Sequence, residues 1–152
     1  SAITVMYKLQ FDGACKGNPG ICGIGYVIFK GDKVIFKDYK IISLNNTKNY
    51  AEYCAGLLGI KKTIELNIKD LVVEGDSNFV IKQINQEYEL CPDNLIPIYN
   101  ELIESLIHFD SIQFKHIHIN KNQFADRLAN IAISKYYKNN DCKIQEIILE
   151  KN

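Results

Sequence analysis

The sequence predicts an α/β fold: a five-stranded mixed sheet, an antiparallel three-strand meander plus two parallel strands, with helices packed on it. Three observations predict it. Apolar and polar residues alternate over residues 3–11, and two further apolar runs fill the positions to about 43, the three separated by two turn-like clusters rich in Gly, Asn, Asp and Pro. Apolar residues at helical spacing then take over from Tyr50. Two further strand-like runs, "DLVVEG" and "SIQFKHIHI", lie between the helical stretches. Strands joined by short turns pair antiparallel, whereas strands separated by helices run parallel through crossovers.

The elements follow in order. Residues 3–11 alternate Ile3, Val5, Tyr7, Leu9 and Phe11 with Thr4, Met6, Lys8 and Gln10, as a strand does. After a turn holding Gly13, Gly17, Asn18, Pro19 and Gly20, "ICGIGYVIFK" is a second strand. Gly31-Asp32 makes a hairpin to "KVIFKDYKIIS", the third. Tyr50, Tyr53, Cys54, Leu57, Leu58 and Ile64 then mark one face of a helix. "DLVVEG" is too short for a helix and β-branched, hence a buried strand. Helical spacing returns at Phe79, Val80 and Ile84, and again in "LIPIYNELIESLIHF", where Pro97 sits near a first turn. "SIQFKHIHI" is the fifth strand, with His116 and His118 on the face of Ile112 and Phe114. "NQFADRLANIAISKYYK" is a last helix with Phe124, Leu128, Ile131 and Ala132 on one side. The expected domain is the whole of 1–152, with a core of about 3–138 and an ambiguous tail at 139–152.

Composition narrows the class. Hydrophobic residues at 47% and charged residues at 24% are those of a globular domain, and no apolar run approaches a membrane span. No secretory signal is visible, so a cytoplasmic location is expected. The five cysteines are scattered and never in CxxC spacing, which predicts free thiols in a reducing compartment and no thiolate metal site. Lys plus Arg equals Asp plus Glu at 18 each, so no long-range field recruits nucleic acid or lipid.

Four carboxylates stand where strands end or helices begin. Asp12 and Asp76 end the first and fourth strands; Glu52 and Asp126 sit in the opening turns of the first and last helices. Each has a local reading as well. Asp12 starts a turn, Glu52 closes a capping box with Asn49, Asp76 caps the helix opened by Ser77, and Asp126 answers a helix dipole. Together they point elsewhere. In α/β sheets, sites gather at the carboxyl ends of strands. Carboxylates converging there repel unless protonated or bound to a cation, and hard divalent ions take such oxygen ligands.

Four segments, "FDGACKGNPG", "TKNYAEYCAGL", "VVEGDSNFVIKQI" and "HIHINKNQFADRLANIA", resemble the four successive motifs of type 1 ribonuclease H, in order and with its Asp, Glu, Asp, Asp series. The likeness runs from about Lys8 to Ala132. It implies the ribonuclease H-like sheet, and hydrolysis of the RNA strand of RNA–DNA hybrids by two Mg²⁺ ions, with Mn²⁺ as substitute, leaving 3′-hydroxyl and 5′-phosphate ends. By the same likeness Asp12 bridges both ions, Glu52 and Asp76 hold the one near the leaving oxygen, and Asp126 holds the one that activates water. His116, ten residues before Asp126, matches an auxiliary histidine. The stretch Gly13 to Asn18 reads 2′-hydroxyls, Asn18 and Asn49 touch hybrid, and Thr47 and Asn94 meet a DNA-strand phosphate. Lys16 and Lys48 are further candidates for backbone contact, Lys48 standing where many members carry an amide. The connection "EYELCPDN" is acidic and lacks Trp, so the chain resembles the short form without a basic protrusion. A monomer without membrane contact is expected. Two other readings are a ribonuclease H domain of a reverse transcriptase polyprotein and a catalytically weak hybrid-binding module. The Asp, Asp, Glu order of transposases does not fit.

Overall fold

The computed structural model describes residues 5–87 and 92–151, with side chains through residue 140. Strands β1 (Tyr7–Gly17), β2 (Gly20–Lys30) and β3 (Lys33–Asn46) form the expected antiparallel meander. Strand β4 (Asp70–Gly75) pairs parallel with β1, and β5 (Ser111–His116) pairs parallel with β4. The five-stranded order is β3-β2-β1-β4-β5. Helix α1 (Lys48–Glu65) crosses from β3 to β4, while α2 (Asn78–Ile84) and α3 (Ile96–Ser105) cross from β4 to β5. Helix α4 (Gln123–Lys151) follows β5 and runs through the tail that the sequence leaves ambiguous.

The pleat sorts the two faces of the sheet. Leu9, Phe11 and Gly13 meet α1, whereas Gly25, which pairs with Asp12, meets α4. The main core lies under α1. There Leu9, Phe11, Ile24, Ile28, Tyr53, Ile60 and Val73 are fully buried, each contributing about 1.5–3 kcal/mol of transfer free energy. Gly13 carries the tightest approach between α1 and the sheet. A Cβ there would lie 2.4 Å from the Ala51 carbonyl carbon and 2.5 Å from the Glu52 nitrogen, so only glycine lets α1 settle onto β1 at this point.

Several expectations need correction. Of the first strand's predicted span, residues 3–4 lie outside the described residues, 5–6 precede the ladder, and the strand continues past Phe11 to Gly17. The antiparallel ladder with β2 holds pair by pair from Tyr7–Lys30 to Gly17–Gly20, so only Asn18 and Pro19 turn. Asp12 is therefore inside a strand, and what ends beside it is the parallel ladder with β4, at Phe11–Gly75. β3 likewise extends to Asn46. Thr47 caps α1, its side chain accepting from the Tyr50 N–H at 3.2 Å, so Asn49 is inside the helix and Glu52 lies beyond its first turn. Ser77, not Asp76, caps α2, accepting from the Val80 N–H at 3.3 Å. These two findings remove the capping readings of Glu52 and Asp76.

The long helix expected around Pro97 is interrupted, with 3₁₀ turns at Asp93–Leu95 and Leu106–His108 flanking α3. β5 stops at His116, and His118 instead precedes a 3₁₀ turn, its Nδ1 accepting from the Asn120 N–H at 3.2 Å. On α4 the buried face is Ala125, Leu128, Ala129, Ala132 and Ile133, while Ile131 is exposed. The thiols are not all free: Cys15 and Cys22 face each other across the β1–β2 ladder, with Cα atoms 4.1 Å apart, and form a disulfide. The two-residue turn sets that register, which residue spacing alone does not reveal. Residues 88–91 of the acidic "EYELCPDN" connection lie outside the described residues. Among the described residues, no helix is long and apolar enough to cross a membrane.

Candidate active site

Three acids converge where β1 and β4 part. Phe11 and Gly75 are the last partners of the parallel ladder, so Asp12 and Asp76 are the next residues on diverging chains. Glu52 comes from α1, carried in by the Gly13–Ala51 contact. One oxygen from each of Asp12, Glu52 and Asp76 lies within 4.8 Å of the other two. Asp12 is 3% exposed and Glu52 1% exposed, and with both acids ionised neither Glu52 oxygen has a hydrogen-bond donor within reach.

The electrostatics follow from that crowding. Burial pushes the Asp12 carboxyl up to about 7; the charges of Asp76 and Asp126 add to the rise, while a hydrogen bond from Glu52 opposes it. Glu52 is pushed well above the usual carboxylate range, first by burial and then by Asp12, with only Lys48 pulling the other way. Without a cation the pair holds a proton to higher pH than ordinary carboxylates do. A cation would replace that proton and give the orphaned Glu52 oxygens a partner, so the donor set fits a hard divalent ion.

Asp126 stands beside this trio without joining it. On the first turn of α4, it adds charge next to Asp12, and its Oδ1 accepts from Asn130 Nδ2 at 3.2 Å. His116 is exposed at the end of β5, its Nε2 3.2 Å from the Asp76 carbonyl oxygen. His118 is directed to its own turn. The sequence reading missed Asn122, which is fully buried and donates from Nδ2 to the Phe11 carbonyl at 2.9 Å and to Asp76 Oδ2 at 3.1 Å. An Asn directly ahead of a helix, four residues before Asp126, was the available signal, and it reads most simply as a cap.

A second feature lies beside the acids. Asn18, Thr47, Lys48, Asn49 and Asn94 line one cavity of about 320 Å³, with Pro92 and Leu95. Asn18 Oδ1 accepts from the Lys48 N–H at 3.1 Å, tying the β1–β2 turn to the start of α1. Lys16 is directed elsewhere, its ammonium 4.3 Å from the Tyr137 ring centre, and Gly13 is buried beneath α1.

A mixed sheet in this order, with acids gathered where its central parallel strands part, defines the class of ribonuclease H-like domains. The family model described as "Reverse transcriptase-like" matches residues 10–132. Ribonuclease HI of Halobacterium salinarum is 32% identical over 123 residues, an alignment covering 81% of this chain and 62% of that protein. The chain thus spans about three fifths of that relative's length. The crystal structure of RNase H1 from the same archaeon superposes with a TM-score of 0.82 at 30% identity, covering 86% of this chain and 98% of that one. LC11-RNase H1 in complex with an RNA/DNA hybrid gives a TM-score of 0.81 at 26% identity, covering 86% and 99%. The chain belongs to the reverse transcriptase-like family, as a ribonuclease H domain.

Proposed function

We propose that this chain is an endoribonuclease that hydrolyses the RNA strand of RNA–DNA hybrids with divalent cations, Mg²⁺ or Mn²⁺, leaving 3′-hydroxyl and 5′-phosphate ends. The observation that carries the reading is the buried trio of Asp12, Glu52 and Asp76, with two orphaned oxygens on Glu52. A fully buried carboxylate without a donor persists only with a proton or a cation as counterpart. The relative solved with a hybrid supports the choice of substrate.

Asp12, Glu52 and Asp76 would hold one ion, and Asp12 with Asp126 the second. When bound, such a pair supplies activation of a water and stabilisation of the leaving oxygen of a phosphodiester. The chain's own residues do the rest. The cavity of Asn18, Thr47, Lys48, Asn49 and Asn94 takes a backbone phosphate of the DNA strand, with Lys48 as its cation and the amides and hydroxyl as hydrogen-bond partners. The β1–β2 turn at Asn18, fastened to α1 through the Lys48 N–H, orients the RNA strand across the acids. His116, exposed beside the Asp76 carbonyl, would move a proton to or from the cleaved phosphate.

The test is incubation of purified protein with labelled RNA–DNA hybrid, duplex RNA and duplex DNA, each with and without Mg²⁺. Cleavage confined to the RNA of the hybrid, and abolished by chelation, is expected. Equal cutting of duplex RNA, or cutting that survives chelation, would contradict the reading.

A further inference from the structure

We infer that Asn122 is a positioning residue, whose side-chain amide locks the end of β1 and the Asp76 carboxylate into the arrangement the cation-binding trio needs. The inference rests on the cleavage reading for its kinetic arm, and on the geometry alone for the rest.

Asn122 lies between the 3₁₀ turn at Ile119–Lys121 and the start of α4. Its amino group has two hydrogens and uses both, one on the Phe11 carbonyl at 2.9 Å and one on Asp76 Oδ2 at 3.1 Å. Both partners are pure acceptors, so the amino end must face them and the carbonyl end cannot. The amide therefore bridges β1 and β4 one step beyond their last pair, Phe11–Gly75, where the two acids begin. Its backbone carbonyl also accepts from the Asp126 N–H at 3.2 Å. One residue thus touches the segments bearing three of the four acids: Phe11 beside Asp12, Asp76 itself, and Asp126.

The remaining atom of that amide supports the assignment. Asn122 Oδ1 is buried with no hydrogen-bond partner. A residue that merely filled this space would do better without an orphaned acceptor. What the amide gains in return is a pair of donors aimed at the acidic site. Pinning one Asp76 oxygen fixes the plane of that carboxylate, and so the orientation of its other oxygen. Groups that orient metal-binding carboxylates in this way typically change metal affinity or activity by about 10–100-fold when removed.

The experiment compares the parent with Asn122→Ala and the isosteric Asn122→Asp, which turns a carboxylate oxygen toward two acceptors. Expected in both is a fall in kcat of roughly 10–100-fold with KM for the hybrid within about threefold. Mn²⁺ binding to Asn122→Ala, measured calorimetrically without substrate, should weaken by roughly tenfold, and raised Mg²⁺ should recover part of its kcat. A lowered melting temperature with kcat, KM and Mn²⁺ affinity unchanged would make Asn122 structural only and overturn the proposal. If either variant fails to fold, the parent decides by NMR. The Asn122 side-chain amide protons should exchange slowly and shift on adding Mg²⁺, and an unmoved pair beside shifting Asp12 and Asp76 backbone amides would overturn it. A parent that binds Mg²⁺ but cuts no hybrid refutes the cleavage reading, while the calorimetric and amide results still decide the role of Asn122.

Discussion

Asp12 and Glu52 show how burial turns an ordinary side chain into a demand for a partner. Either carboxylate on a surface would be solvated; at 3% and 1% exposure, facing each other, they must share a proton or a cation. Asp12→Asn removes one of those charges without changing shape. Hybrid cleavage should fall below detection, because a neutral amide oxygen cannot replace the carboxylate that, in the proposed function, two ions share. The metal-free variant should also fold normally and melt no lower than the parent at pH 8, since a like-charge repulsion has gone. Cleavage within a few-fold of the parent by a folded variant would refute the metal-ligand assignment.

At the scale of elements, the site depends on how closely α1 approaches β1. Gly13→Ala places a methyl 2.4 Å from the Ala51 carbonyl carbon, a backbone contact that no rotamer change can relieve. The helix must retreat, taking Glu52 with it. Overpacking of this kind costs about 1–3 kcal/mol, and a shift of a few tenths of an ångström in Glu52 should lower kcat more than it raises KM. Thermal unfolding and steady-state kinetics together check this; wild-type kcat in a destabilised Gly13→Ala protein would show that the contact serves stability alone. The order of strands and helices was legible because alternation survives in the first half of β1, apolar runs bounded by turn residues mark β2 and β3, and helical spacing survives in α1 and α4. Element ends were less so. Whether Asp12 ends a strand depends on the ladder with β2, a non-local pairing, and the His116–His118 alternation breaks where β4 has no residue left to pair. The four acids were visible through their motifs. Asn122 was not, because its value lies in contacts with Phe11 and Asp76, which are 111 and 46 residues away in sequence.

For the whole molecule, equal numbers of acidic and basic residues, 18 each, leave no net field, so the acidic cluster should be the main source of pH dependence particular to this site. The sign follows from the direction of the shifts. Asp12 titrates at about 7 in the folded chain against 3.8 ordinarily, and Glu52 is raised as well. Between those values the folded state binds more protons than the unfolded chain, so stability falls as pH rises. The stabilisation is complete below about pH 4 and lost as pH climbs through about 7. The coupled Asp12–Glu52 pair together contributes a loss on the order of a few kcal/mol, or roughly 10 °C in melting temperature for a domain of this size. In EDTA, the parent should therefore melt progressively lower from pH 5 to pH 8 relative to Asp12→Asn, a comparison that isolates Asp12 together with its coupling to Glu52. Mg²⁺ at pH 8 should restore the parent and leave the variant nearly unmoved, because the ion binds the ionised carboxylates that high pH produces. Melting curves of the two proteins that stay parallel from pH 5 to pH 8, with or without Mg²⁺, would show that the buried acids are neither coupled to folding nor linked to a cation.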